Sequence, residues 1–250
     1  GGGGASTHSE AAAATPAAAA VAASAGAGGV KAEKRALRKE VAATLSKLSP
    51  DEVRRQSERV VAQVVTLPCV RDSSSGGIVS VFLPMVGGQE VNTWPLIAQL
   101  FAQGSRVVVP KVVGKKAEAM QMLLAPSERE LKALPTDSWN IPTVPKDAGW
   151  EDQTTSGEVE CIIVPCVALD GQRRRLGHGR GYYDSFIQRT TDARLARGLP
   201  PPTTIGVALE DQFLGERAVP TTAHDKVLDV VVHPGGVVAS TETRLGRVVK

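Results

Sequence analysis

Three stretches of this chain are unbroken triplets of Val or Ile: Val107-Val108-Val109, Ile162-Ile163-Val164 and Val230-Val231-Val232, ended by Pro110, Pro165 and His233. A strand with one face in water alternates apolar and polar residues; a run that is apolar at every position has both faces covered. Further strand candidates bring the set to 78–83, 106–110, 119–124, 161–169, 203–209 and 228–233. Helical patterns lie between them, at 93–103 closed by Gly104 and at 182–196 followed by Gly198 and a proline run. Strand alternating with helix predicts an α/β fold: one domain with an open, mostly parallel, Rossmann-like sheet and helices on both faces. Ligands of such sheets bind beyond the carboxyl ends of the strands, so the loops after residues 83, 110, 169 and 209 are the places to look.

Two helices precede the sheet. Leu37, Val41, Leu45 and Leu48 recur at helical spacing. Ser49-Pro50-Asp51-Glu52 then supplies an N-cap, a proline at the first helical position and a glutamate at the third, starting a helix expected to run to about residue 67.

The first 29 residues differ from the rest: 13 are Ala, seven are Gly and Glu10 is the only charge. With little to bury they read as a disordered tail, a processed organelle leader being the alternative, and residues 30–250 as the single folded domain. The net charge, 29 − 26 = +3, is too weak to imply nucleic acid. No apolar stretch reaches the length of a membrane helix. Cys69, Cys161 and Cys166 form no paired framework and read as reduced core residues. A soluble intracellular protein follows, expected in the cytoplasm with the mitochondrion left open, and expected to be a monomer.

The chemistry concentrates in residues 161–189. A buried strand leads into Gly177-His178-Gly179-Arg180-Gly181, and a helix opens at once with Tyr182-Tyr183-Asp184. Alternating glycines leave backbone N–H groups bare and allow positive φ, so that successive amides can converge on an anion. The helix N-terminus adds partial positive charge, and Arg173, Arg174, Arg175 and Arg180 add forked cations suited to phosphate. The spacing matches neither the dinucleotide fingerprint nor the phosphate loop of nucleotide hydrolases. A flexible turn with solvated arginines is the competing reading; glycine at every second position between strand and helix argues against it.

A second basic element is Lys34-Arg35-Ala36-Leu37-Arg38. At 100° per residue, Lys34 and Arg38 share the stripe of Val41 and Leu45, whereas Arg35 and Lys39 point elsewhere. Helix ends also carry charge for solubility alone. In His224-Asp225-Lys226-Val227-Leu228-Asp229, Asp225 joins Asp184 as an oxygen donor of the kind Mg²⁺ prefers, although carboxylates at such spacing also cap loops. Glu90 follows the strand ending at Leu83, and Trp139 lies in a proline-bounded loop, able either to stack on a flat ring or to plug the core.

Taken together, these segments resemble the 5-formyltetrahydrofolate cyclo-ligase family. The resemblance rests on KRALR at 34–38, SVFLPM at 80–85, EVNT at 90–93, VVVPK at 107–111, SWNIP at 138–142, IIVPCVALD at 162–170, RLGHGRGYYD at 175–184 and HDKVLDVVV at 224–232. It spans roughly residues 31–235 in one linear order, and implies conversion of 5-formyltetrahydrofolate to 5,10-methenyltetrahydrofolate with MgATP, releasing ADP and phosphate. It assigns ATP to Lys34, Arg35, Arg38, Arg175, Leu176, Gly177, His178, Gly179, Arg180, Gly181, Tyr182 and Tyr183. Folate falls to Leu83, Met85, Glu90, Trp139 and residues 178–182, and Mg²⁺ to Asp184 and Asp225. Lys34, Arg175, Arg180 and Tyr182 are the expected catalytic groups. The substrate class is a reduced formyl folate, with or without a polyglutamate tail. Where the family pattern has glycine two residues before the arginine of RLG, this chain has Arg173. A sugar-phosphate isomerase or CoA-transferase-like enzyme would share the sheet and an anion loop without needing ATP, and a non-catalytic folate or nucleotide binder would keep the pocket without turnover.

Overall fold

The computed structural model describes residues 16–240. Its elements, in chain order, are α1 (Pro16–Leu45), α2 (Pro50–Val64), α3 (Pro68–Arg71), β1 (Ile78–Ser80), α4 (Trp94–Ala102), β2 (Arg106–Val112) and β3 (Met120–Leu124). There follow α5 (Glu128–Lys132), β4 (Val159–Val164), β5 (Ala168–Leu169), β6 (Arg175–Leu176), α6 (Tyr182–Ala196), β7 (Thr203–Val207), β8 (Val230–His233) and β9 (Gly236–Ala239). The main sheet has the order β3-β2-β1-β4-β7-β8-β9. Its five central strands are parallel, and β3 and β9 add antiparallel edges. β5 and β6 form a separate two-residue hairpin.

Both faces of the sheet are covered, as the unbroken apolar runs require. Cys161 and Ile163 of β4, with Val79, Val107, Ile205 and Val230, pack with Leu37 and Val41 of α1, Val60 and Val64 of α2, and Leu96 of α4. The alternate residues Ile162 and Val164, with Ile78, Val108 and Val231, pack with Phe186 and Ile187 of α6. Successive side chains of a strand point to opposite faces, so each run feeds two cores.

The sheet reverses its winding beside β1. The chain goes from β1 to β2 on one side and then returns to place β4 on the other. The loops leaving β1 and β4 therefore part from one another and leave a crevice at the carboxyl ends of these two strands, where open α/β sheets hold ligands.

Several boundaries differ from the sequence reading, for local reasons. The strand expected over 161–169 ends at Val164 because Pro165 has no N–H for a ladder bond, and 168–169 joins the small hairpin. β8 starts at Val230 rather than 228 because Asp229 turns its carboxylate to the Thr204 N–H and hydroxyl. α2 ends at Val64, and Pro68 opens the separate turn α3. α5 and β9 were not expected: five residues and four residues carry too little periodicity to register. α5 is nonetheless capped, with Ser127 accepting from the Glu130 N–H and donating to its carboxylate. α1 begins at Pro16, so the backbone of 16–29 is helical where a tail was expected. Alanine is the best helix former, and its run offsets glycines that each cost about 1 kcal/mol. Residues 1–15 of the expected tail lie outside the described residues. Among the described residues, no helix is long and apolar enough to cross a membrane.

Candidate active site

The crevice is built from the chain leaving β4. After Pro165 the β5–β6 hairpin reverses direction at a turn held by Asp170, a fully buried carboxylate. It accepts from the N–H groups of Gln172 and Arg174 through one oxygen and from Val219 N–H and the Arg174 guanidinium through the other. Arg173, standing where a glycine was looked for, takes φ +63, the left-handed conformation a glycine adopts readily. Its backbone carbonyl accepts from Leu228 N–H, and its Nε donates to the Leu228 carbonyl at 3.0 Å, which holds the conformation and ties this turn to the start of β8.

Arg175 then enters the floor. Its side chain is 6% exposed, and Nη2 meets the Asp184 carboxylate at 2.8 Å. Its guanidinium carbon lies 5.9 Å from the centre of the Tyr183 ring. A Cβ on Gly177 would stand 2.7 Å from Arg175 Nη1, so a larger residue there would have to displace the guanidinium from its place under the loop. Two buried atoms here have no hydrogen-bond partner among the described residues: Arg175 Nε and Tyr183 Oη. Buried donors are nearly always paired, and a pair of orphans in a basic crevice fits a polar ligand group.

The loop itself is clasped by α1. Arg38, on the stripe that buries Leu37 and Val41 alongside, donates from Nε to the Gly177 carbonyl at 2.8 Å. Gly179 has φ +96, and a Cβ there would stand 3.2 Å from Arg38 Nη2. Lys34, one turn earlier, places Nζ 2.6–2.7 Å from both oxygens of Asp225. Burial pushes the Asp225 carboxyl up, but hydrogen bonds from Lys34 and from Thr222 outweigh it, leaving the pKa below the usual carboxylate range. Arg35 is exposed, as the helical spacing implies. Arg180 is exposed too, and Tyr182 Oη donates to the Gly114 carbonyl in the β2–β3 connection at 2.8 Å. His178 is exposed; desolvation, then the charges of Arg38 and Arg175, lower its pKa from the usual imidazole value. The Leu176 side chain is buried in the core, so only its backbone faces the loop, and its carbonyl is taken by Val167 N–H.

Asp184 is not a helix cap. α6 is capped by Gly181 at φ +73 with no side-chain bond, and Asp184 turns its oxygens to Arg175 and to the Lys226 N–H. That last bond brings Asp184 beside the residue next to Asp225. The two carboxylates expected to share a metal are each held by a cation instead, Asp184 by Arg175 and Asp225 by Lys34. Among the described residues, no group of three or more His, Cys, Asp or Glu could hold a metal by itself.

On the other bank, the loop after β1 forms a tight turn in which Gly88 N–H donates to the Met85 carbonyl and Glu90 accepts from Met85 N–H at 2.8 Å. Burial raises the Glu90 pKa, partly offset by that bond. Leu83 is buried at the base of the loop. The turn carrying Trp139 docks here: Val86 N–H donates to the Asn140 carbonyl at 2.8 Å. Trp139 is 71% exposed, so the core-plug reading fails and the ring is free to stack. A cavity of about 650 Å³ lined by Phe101, Arg106 and Trp150 lies at the amino ends of the strands, and none of the motif residues line it.

Residues 30–234 match the model of the 5-formyltetrahydrofolate cyclo-ligase family. The chain belongs to this family. Membership makes it an enzyme of the ligase class. It is 29% identical over 204 residues to the mouse 5-formyltetrahydrofolate cyclo-ligase, covering 82% of this chain and 95% of that one. The mitochondrial 5-formyltetrahydrofolate cyclo-ligase of Arabidopsis thaliana is 28% identical over 219 residues, covering 84% and 76%. Among solved structures, the 5,10-methenyltetrahydrofolate synthetase of Aquifex aeolicus superposes with a TM-score of 0.62 at 28% identity, covering 84% of this chain and 94% of that one. Its sheet flanked by helices is the fold described above.

Two features of the site had weak or no sequence signals. Asp170 belonged to a matching string but carried no expected role, and the Tyr182–Gly114 bond joins residues 68 apart. The Asp170 turn is foreshadowed only by Asp-Gly-Gln, a common turn sequence.

Proposed function

We propose that this enzyme converts 5-formyltetrahydrofolate to 5,10-methenyltetrahydrofolate, using ATP to phosphorylate the formyl oxygen. Family membership implies the folate substrate and the use of ATP. The observation that carries the reading to these residues is the glycine loop at 177–181 clasped by Arg38 and floored by Arg175, with two unpartnered buried polar atoms beneath it.

The chemistry accounts for the residue types. A formamide oxygen leaves poorly, so it first takes the terminal phosphoryl group of ATP, with ADP departing. The neighbouring folate amine then attacks the formyl carbon; it loses its proton, phosphate leaves with the former formyl oxygen, and the ring closes. Phosphoryl transfer depends on positioning and charge neutralisation more than on a protein nucleophile. Lys34, Arg38, Arg175 and Arg180 supply positive charge, and the backbone N–H groups of 177–183 supply aimed dipoles. Tyr182, tied to Gly114, fixes the loop against the β2–β3 connection. Glu90 accepts hydrogen bonds from the pterin side of the folate, with Leu83, Met85 and the exposed Trp139 ring around it.

Asp184 and Asp225 would hold Mg²⁺. Two carboxylates with no third protein ligand among the described residues suit an ion that arrives with nucleotide and completes its shell with phosphate oxygens and water. When bound, it would offset phosphate charge during transfer. Lys34 and Arg175 neutralise the same carboxylates in its absence.

Incubation with 5-formyltetrahydrofolate and MgATP, followed by absorbance of the methenyl product, tests the reading. Product that requires ATP supports it. Turnover without ATP would favour an isomerase or transferase, and binding without turnover a non-catalytic role.

A further inference from the structure

Cys69 and Cys161 are 92 residues apart in sequence, yet their sulfurs stand 3.7 Å apart. We propose that this pair is a thiol–disulfide site: a small hydroperoxide oxidises it to an intramolecular disulfide that staples α3 to the central strand β4, and thiols reverse it.

The two cysteines occupy complementary positions. Cys69 sits in α3, the one-turn helix between α2 and the approach to β1, and is only partly buried. Cys161 lies on β4 opposite Val79 and Thr203, and is fully buried. Cys69 is therefore the member of the pair nearer solvent, and Cys161 the one behind it. The Cys161 thiol donates to the Cys69 sulfur, and this bond, with lesser help from the Cys69 backbone and the Thr203 hydroxyl, outweighs burial and the Asp229 charge and lowers the Cys69 pKa. The Cys161 thiol is pushed up by the same interaction and by burial. Low pKa and access are what mark an oxidisable cysteine, with a neighbouring thiol as resolver. Cys166 makes an internal contrast. It is buried, its thiol donates to the Val207 carbonyl at 3.2 Å, and burial pushes its pKa up to about 12.

The step balances as follows. The Cys69 thiolate attacks one oxygen of hydrogen peroxide, the O–O bond breaks, and water leaves after protonation, giving the sulfenic acid. The Cys161 sulfur then attacks the Cys69 sulfur, the S–O bond breaks, and the thiol proton leaves with the hydroxyl as a second water. Two thiols are oxidised and one peroxide is reduced. The sulfurs have less than 2 Å to close, and α3 is a single turn that continues into the 3-10 turn Asp72–Ser75, so the two short turns would shift together. The folate site is not involved: Cys161 lies three positions before Val164, where β4 ends and the chain turns toward the glycine loop.

The test uses the full chain, reduced, freed of reductant and titrated with hydrogen peroxide. Free thiols should fall from three to one, the intact mass should drop by two hydrogens, and proteolysis should yield a linked peptide pair containing Cys69 and Cys161. Dithiothreitol should restore all three thiols. Closing so long a loop should raise Tm by about 5–15 °C in the oxidised protein, a shift absent in Cys69→Ser. Cys161→Val should leave Cys69 as a sulfenic acid that dimedone traps; should that variant not fold, the partly exposed Cys69→Ser carries the comparison alone. Three thiols surviving a titration that oxidises a free thiol control, a Cys69 sulfinic acid beside an intact Cys161 thiol, or a link between chains would each overturn the proposal.

Discussion

Gly179→Ala separates an anion loop from an ordinary turn. At φ +96 the alanine backbone carries a left-handed strain of about 1–2 kcal/mol. Its Cβ would also press on Arg38 Nη2 at 3.2 Å, closer than an ordinary contact. The loop has two ways to relieve this: it turns to negative φ and re-aims its N–H groups, or it displaces the Arg38 guanidinium from above Gly177. Either removes part of the cradle. For a chain of this size the strain corresponds to a Tm loss of about 2–8 °C, well short of unfolding. Loss of a single well-aimed donor costs roughly 100–1000-fold in turnover, and kcat/KM for ATP should fall by about that much. Gly198→Ala is the matched control. It also sits at positive φ, +69, with nothing within 4 Å of the new Cβ, in the turn after α6. Its melting temperature should fall similarly and its activity should not change. The assays are methenyl absorbance against ATP concentration and thermal melts of both variants. If Gly179→Ala kept kcat/KM within about twofold of the parent, the loop would be a turn and not a phosphate cradle.

Lys34→Ala and Arg38→Ala should raise the Michaelis constant for ATP by about tenfold or more, while Arg35→Ala and Lys39→Ala, both exposed, should stay within about twofold; equal effects in all four would mean diffuse electrostatics. Asp184→Asn should raise the Mg²⁺ concentration needed for turnover. It should also destabilise the fold by about 1–3 kcal/mol, read in denaturant titrations, because the buried Arg175 guanidinium loses its charged partner; a silent Mg²⁺ titration would remove Asp184 from the metal site. Glu90→Gln should raise Tm at neutral pH and lose that advantage as pH falls. Burial raises the Glu90 pKa, so the native state favours the neutral acid and is penalised once pH passes the folded-state pKa, a penalty glutamine escapes. A Tm difference growing toward acid would refute the sign. The same variant should weaken folate binding, measured by titration without ATP.

The sheet was legible because three of its central strands, β2, β4 and β8, carry runs that are apolar on both faces, and that pattern has few other solutions. What escaped was short or long-range. α5 and β9 are too brief to show a period, and their formation rests on the Ser127 cap and on pairing with β8. At the site, the glycine spacing, the Lys34–Arg38 stripe and the carboxylates at 184 and 225 were readable one segment at a time. Their mutual arrangement was not. The Lys34–Asp225 ion pair spans 191 residues, and the Asp184–Lys226 bond spans 42. Nor does composition tell that Arg173 will take the left-handed conformation, since it is held there by two bonds to Leu228 formed only once β8 is in position. The 3.7 Å approach of Cys69 to Cys161 belongs to the same class; the sequence shows three cysteines with nothing to pair them.

The most direct measurement follows one atom. 5-Formyltetrahydrofolate carrying heavy oxygen in its formyl group is turned over with MgATP, and the released phosphate is analysed by mass spectrometry. Phosphorylation of the formyl oxygen predicts one labelled oxygen in each phosphate, one ADP per methenyl product, and no label in water. Methenyl product accompanied by unlabelled phosphate, or formed without ADP, would contradict the phosphoryl-transfer role assigned to the glycine loop.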